Sequence, residues 1–246
     1  ITVISDFRQR DIAAGGQGAP LVPVFHASVF NQARQKGGCI IANIGGMANL
    51  TYLPPPGSEA RVIGFDCGPG NVLMDAWVEV HTGERFDRDG GFAAAGKVNE
   101  ALLQQLLSHE FFNAPPPKSC GREQFHLAWI REQAAAHKLS PEDVQATLLA
   151  LTARTLADAV RRYCGPAVEL LVCGGGAYNA ELMKLLATEL PGMTVDTTAR
   201  YDLDPSHIEA AAFAWLAQRT LDGQPGNLSA VTGAAGPRIL GNITPA

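Results

Sequence analysis

Several things are missing from this sequence of 246 residues, and each absence removes a class of function. There is no basic run, and the net charge is −5 with 19 Lys and Arg against 24 Asp and Glu. Nucleic acid is therefore not an expected partner. No apolar stretch approaches the ~18 residues that a membrane helix needs. The five cysteines, at 39, 67, 120, 164 and 173, form no CxxC pair. That excludes a common zinc pattern and fits a reducing cytoplasm better than a disulfide framework. The six histidines are scattered, and no H-E-x-x-H occurs. No G-x-x-x-x-G-K-[ST] phosphate loop is present. Charged residues are scarce at 17%, while hydrophobic residues reach 46%. This is a globular chain with ample core.

Glycine is plentiful instead, and three glycine turns stand at predicted strand ends. Cys39-Ile40-Ile41-Ala42-Asn43-Ile44 reads as a strand, Gly45-Gly46 as a tight hairpin turn of the primed type, and Met47 to Leu53 as the returning strand. A third strand, Arg61 to Phe65, runs into Asp66-Cys67-Gly68-Pro69-Gly70-Asn71, with a helix expected over 72–80. Glu169 to Cys173 is a further strand, followed by Gly174-Gly175-Gly176 and a helix reaching residue 189. Three consecutive glycines suit two readings. They make a tight strand-to-helix connection, or they let a ligand approach the main chain.

Ser140, Pro141 and Asp143 mark a helix start, and Val144, Leu148, Leu151, Thr155 and Ala159 share one face of that helix. A short strand over 193–196 and a helix over 206–221 follow. From Cys39 the order is β-β-β-α, an insertion, then α-β-α-β-α. Hairpin links make an antiparallel meander, and the later strands need helical crossovers. The expectation is an α/β fold with a ribonuclease-H-like mixed sheet flanked by helices, the half-unit of actin-like ATPases. Residues 39–246 would form that domain, with a helical insertion at about 83–139. Residues 1–38 read as the remnant of an N-terminal domain, because the chain starts at Ile1 already in strand pattern.

Asp66 is the foremost candidate for chemistry. It ends a predicted strand ahead of a glycine turn and a helix, whose N-terminus would hold the carboxylate ionised. Its position suits a helix cap as well as a base. Three glycine turns around one ionised carboxylate point to a phosphoryl-transfer base. Asp87, Arg88 and Asp89 lie near glycines, and Arg88 reads as part of a solvated loop. Lys118 and Arg122 would either bind a carboxylate or phosphate or face water.

The segments "DFRQRDIAAGGQGAPLVPVFH", "NIGGMANLTYL", "GFDCGPGNVLMDAW", "FDRDG", "CGGGAYN", "IEAAAFAWLA" and "TGAAGPRILG" occur in this order. Together they resemble the anhydro-N-acetylmuramic acid kinase family, within the sugar kinase, hsp70 and actin superfamily. The resemblance covers essentially the whole chain. It departs from the family at Cys120, where threonine is usual, and in lacking the family's Gly-Thr-Met-Ser-Gly-Thr-Ser phosphate loop and Gly-Ser-His-Gly-Gln-Thr motif. The chain thus looks N-terminally incomplete.

The resemblance implies a cytoplasmic bacterial enzyme that uses ATP and Mg²⁺. It would open 1,6-anhydro-N-acetylmuramic acid with water and phosphorylate O6 during cell-wall recycling. Asp66 would be the general base, with Arg8, Asp11 and Glu209 on the sugar side. Asn43, Gly45, Gly46, Gly68, Gly70 and Asn71 would serve the phosphates, and Gly174, Gly175, Gly176 and Asn179 the adenosine. Metal ligands are not indicated, and a homodimer is compatible with the family. The alternative is a nucleotide-binding or interaction module without catalysis, since the phosphate loop is missing.

Overall fold

The computed structural model describes residues 1–246. Its centre is a five-stranded mixed sheet of β2 (Cys39–Ile44), β3 (Met47–Leu53), β4 (Ile63–Pro69), β5 (Glu169–Cys173) and β6 (Thr194–Thr197). The strand order is β4-β3-β2-β5-β6. β2, β3 and β4 form the expected antiparallel meander, while β5 lies parallel to β2 and β6 parallel to β5. A separate two-stranded ribbon joins β1 (Val3–Ser5) to β7 (Asn242–Thr244).

Seven helices of eight residues or more surround the sheets. They are α1 (Val22–Val29), α2 (Val72–Thr82), α3 (Glu100–Leu107), α4 (Leu127–Ala134), α5 (Pro141–Tyr163), α6 (Ala180–Glu189) and α7 (Ile208–Leu221). α5 begins where the sequence predicts, with the Asp143 N–H donating to Ser140 Oγ at 3.2 Å. The sequence marks one apolar stripe on it, yet the helix also buries Leu149, Ala150, Ala153, Leu156 and Val160. A helix buried around most of its girth lies inside a core. Here α3, α6 and the sheet close on it from different sides. Truncating the fully buried Leu151 to alanine would cost about 2–5 kcal/mol.

The opposite face of the sheet carries α1 and α7. Phe25, Phe30 and Ala33 share one buried cluster with Ile41, Leu53, Leu171 and Ala212. The expected boundary at residue 38 therefore separates no two cores, because the sheet face exposed by β2 and β5 needs an apolar cover and α1 supplies it. The ends of the chain are also tied together. Fully buried Asp11 accepts at Oδ1 from Asn227 Nδ2 and Thr232 Oγ1, both at 2.7 Å, and at Oδ2 from the Gly18 N–H at 2.9 Å.

Two local expectations need correction. A primed hairpin turn requires positive φ at the first central residue, and in type I′ at both, and neither Gly45 nor Gly46 has it. Ile44 pairs with Ala48, leaving a three-residue connection, and the two glycine carbonyls turn toward the start of α2. The third strand also runs on to Pro69, so Asp66 lies within β4, opposite Asn49. No helix is long and apolar enough to cross a membrane.

Candidate active site

The topology gathers the three glycine turns. β2, β4 and β5 run in the same direction, so Gly45-Gly46, Gly68-Pro69-Gly70 and Gly174-Gly175-Gly176 all stand at strand ends on one edge of the sheet, Gly68 and Pro69 as the last two residues of β4. Such an edge is where open α/β sheets commonly bind ligands.

Asn71 joins the turns. Its N–H donates to Gly45 O at 2.7 Å and its side-chain Nδ2 to Ile44 O at 3.0 Å. Gly70 and Val72 donate to Gly46 O at 2.9 and 3.1 Å. From α5, Thr152 Oγ1 reaches Pro69 O at 3.2 Å and Gly70 O at 3.0 Å, which fixes the second turn from beneath. The amides of residues 70–72, where α2 begins, are thus taken up by protein carbonyls. The N–H groups of Gly45 and Gly46, in contrast, have no protein acceptor.

The three consecutive glycines divide their roles. Gly174 has φ +77°, and a Cβ there would lie 2.5 Å from Asn43 Oδ1 and 2.8 Å from Ile44 O. A Cβ on Gly176 would lie 2.5 Å from Ile44 Cγ2. These two glycines let β5 pack against the end of β2. Gly175 alone of the three borders open space, with Asn71 Nδ2 at 3.2 Å from its Cβ position. Both readings of the run therefore hold, at different residues.

That space is a cavity of about 540 Å³ on the α5 side of the sheet. Asn71, Met74 and Asp75 from α2 line it, with Phe86 to Asp89 and, beyond the third turn, Tyr178 and Asn179. Asn179 Oδ1 caps α6 by accepting from the Leu182 N–H at 3.0 Å. Asp87 is buried and accepts from the Phe92 and Ala93 N–H groups at 2.8 and 3.0 Å and from Gln145 Nε2 at 3.1 Å. It anchors its loop and is no solvated charge, while its neighbour Arg88 lies exposed over the Phe86 ring. Burial, with Asp87 next in effect, pushes the Asp75 carboxyl up to about 6, and Arg122 partly opposes this.

Asp66 faces the other side. Phe65 and Cys67 belong to the core around α5, so alternation along β4 turns Asp66 toward the α1 and α7 face. The loop 118–120 holds it: the Cys120 N–H donates to Asp66 Oδ2 at 3.0 Å, and the Asp66 N–H donates to Lys118 O at 3.2 Å. Burial raises the Asp66 carboxyl above its ordinary range, against the Cys120 N–H and the Ser119 side chain, which pull it down. This shift is opposite to the one expected beside a helix N-terminus. Asp66 is too far from the first turn of α2 to feel its dipole, and the position before the helix belongs to Asn71. Asp66 is therefore no helix cap.

The other expected residues scatter. Asn43 pairs with both Asn49 and Cys173 in the row that contains Asp66. Glu209 is exposed in the first turn of α7; burial pushes the Cys173 thiol up, and Glu209 is close enough to add to it. Arg8 is exposed. Asp11 is fully buried with its oxygens engaged, so it organises the terminal loops and touches no open space. Gly68 packs against Phe112, away from the cavity. Asp75, Phe86 and Tyr178 line the cavity without having been expected there. The i,i+4 spacing from Asn71 to Asp75 is the signal that would have found one of them.

The whole chain, residues 1–246, matches the family model described as anhydro-N-acetylmuramic acid kinase. Among similar proteins, the anhydro-N-acetylmuramic acid kinase of Xylella fastidiosa is 54% identical over 246 residues, covering 100% of this chain and 63% of its own length. Those of Thiobacillus denitrificans and Pseudomonas paraeruginosa are 56% and 53% identical, with 65% and 66% of their lengths covered. This chain thus spans under two thirds of these relatives. The activator of 2-hydroxyisocaproyl-CoA dehydratase from Clostridium difficile, solved with bound ADPNP, superposes with a TM-score of 0.50 at 17% identity. It covers 80% of this chain and 67% of the activator. The likeness is one of fold, an actin-like mixed α/β half.

Proposed function

This chain belongs to the anhydro-N-acetylmuramic acid kinase family, and from that premise we propose that its sheet edge is half of a kinase cleft. The cleft binds ATP and 1,6-anhydro-N-acetylmuramic acid and yields ADP and N-acetylmuramic acid 6-phosphate. The observation that carries the reading is the division of the edge by the glycine turns. A cavity of about 540 Å³ lies on one side and the half-buried carboxylate of Asp66 on the other.

The cavity suits a nucleoside. It offers the open main chain at Gly175, the Phe86 ring and the polar side chains of Asn71 and Asp75. The unpaired N–H groups of Gly45 and Gly46 suit phosphate oxygens. No group of three or more His, Cys, Asp or Glu side chains is placed to hold a metal ion. Mg²⁺, which commonly binds through phosphates, waters and one or two carboxylates, would supply charge neutralisation there.

Asp66 takes a proton from water as the water oxygen bonds to the anomeric carbon. The bond from that carbon to O6 breaks, and its electrons stay on O6. O6 then bonds to the γ-phosphorus as the bond to ADP breaks. A base performs best with a pKa near the working pH, and burial moves Asp66 in that direction. The loop 118–120 fixes the orientation of its carboxylate. Positioning and electrostatics carry the phosphoryl transfer itself.

The test is incubation of the protein with MgATP and the anhydro-sugar, with mass spectrometry of the products. The reading predicts ADP and sugar 6-phosphate in equal amounts. Bound ATP with the sugar left intact would favour a nucleotide-binding module.

A further inference from the structure

Arg122, like Arg8, Arg61, Arg85, Arg131 and Arg162, makes no side-chain hydrogen bond or ion pair within the chain, but it is the one of these that lies beside a glycine turn of the sheet edge. Arg34, Arg154, Arg161, Arg200 and Arg219 each reach a carbonyl or carboxylate oxygen. None of the chain's seven ion pairs involves Arg122. An unpaired arginine on a loose loop would be ordinary, but this loop is anchored on both sides. Two residues before it, the Cys120 N–H holds Asp66 at 3.0 Å. Three residues after it, Phe125 is fully buried and stacks on Phe112 with ring centroids 5.5 Å apart. The Gln124 and Phe125 N–H groups turn back onto Gly121 O at 3.2 and 3.4 Å. Lys118 Nζ, by contrast, donates to Phe111 O at 3.0 Å and is thereby committed to the fold.

The guanidinium also has a definite neighbour. A Cβ placed on Gly46 would lie 3.7 Å from Arg122 Nη2. Gly46 is one of the two residues whose N–H groups lack an acceptor. The charge is felt on the cavity side as well, where Arg122 holds down the Asp75 carboxyl. An unpaired guanidinium thus lies beside Gly46 in the turn where two N–H groups are unpaired. That donor set fits a phosphate, which accepts bidentate bonds from a guanidinium.

We propose that Arg122 is a phosphate-binding residue, which with the Gly45 and Gly46 N–H groups grips the terminal phosphates of the nucleotide between the cavity and Asp66. This rests on the nucleotide cleft proposed above. Because the loop carrying Arg122 also carries Ser119 and Cys120, phosphate binding and the orientation of Asp66 act through one segment.

Isothermal titration of ATP, ADP and adenosine into the 246-residue chain, with no sugar present, tests this. Arg122→Ala should weaken ATP binding about 10- to 100-fold, the size expected for hydrogen bonds to charged groups, and leave adenosine binding unchanged. Arg122→Lys should recover part of the loss, since it keeps the charge without the fork. ATP binding equal to that of the unsubstituted chain would overturn the role of Arg122 while leaving the cleft intact. Equal losses for adenosine and ATP would also overturn it, as a structural effect. An unsubstituted chain that binds neither ATP nor adenosine would overturn cleft and residue together.

Discussion

Asn71 and Ile44 are joined by a single side-chain hydrogen bond, Nδ2 to carbonyl oxygen at 3.0 Å, and through it the ends of β2 and β4 become one surface. The same Nδ2 is the nearest atom to a Cβ at Gly175, so the third turn is seated on it too. Replacing Asn71 by alanine leaves Ile44 O without this donor and removes the post under Gly175. The expected cost is about 1–2 kcal/mol of stability, with a larger proportional loss of ATP affinity. Chemical denaturation and ATP titration on one preparation check both.

Two of the three consecutive glycines should resist substitution far more than the third. Gly174→Ala places a methyl group 2.5 Å from Asn43 Oδ1 at positive φ. It should destabilise the fold by about 1–3 kcal/mol. Gly175→Ala meets only Asn71 Nδ2, at 3.2 Å. It should fold normally and lose nucleotide affinity. Melting temperature and binding, measured for both variants, separate the two roles.

Asp75 makes a prediction about pH. Burial, with Asp87 next in effect, pushes its carboxyl up to about 6, above the ordinary aspartate range. The folded state therefore holds the proton more tightly than the unfolded state, and stability falls as pH rises from about 4 through about 6. Because Asp75 is only half-buried, solvent screening limits the effect to about 1 kcal/mol or less. Asp75→Asn should remove this penalty, so that the variant gains over the unsubstituted chain at neutral pH and not below about pH 4. Thermal melts across that range test it. An equal shift at every pH would contradict the assignment.

Asp11 should behave as a structural residue. Asp11→Ala leaves the Gly18 N–H, Asn227 Nδ2 and Thr232 Oγ1 without their buried acceptor. At about 1–3 kcal/mol for each unpaired buried group, the loops at both ends of the chain should loosen. Hydrogen exchange should show loss of protection around residues 11–18 and 227–236, with the central sheet unchanged.

Much of this was legible in the sequence because strand alternation, glycine turns and one capped helix are local signals. The meander, the crossover strands and the placement of the three turns on one edge all follow from them. What was not legible depended on contacts distant in sequence. The Gly45 and Gly46 carbonyls turn toward residues 70–72, which a turn rule based on dipeptides cannot foresee. Asp66 looked like a group beside a helix because β4 runs further than its apolar stretch, and its environment is set by Cys120, 54 residues on. The anchoring role of Asp87 was not legible because its partner Gln145 lies on α5, 58 residues away. Asp11 has its partners at the other end of the chain.

The most direct measurement concerns Asp66→Asn, a change that keeps shape and removes the base. ATP affinity by titration and formation of the sugar 6-phosphate from MgATP and the anhydro-sugar should be measured on the same preparation, beside the unsubstituted protein. The account predicts ATP binding within about twofold of the unsubstituted protein and turnover lower by at least about 100-fold, as for loss of a general base. Turnover at the unsubstituted rate would contradict it.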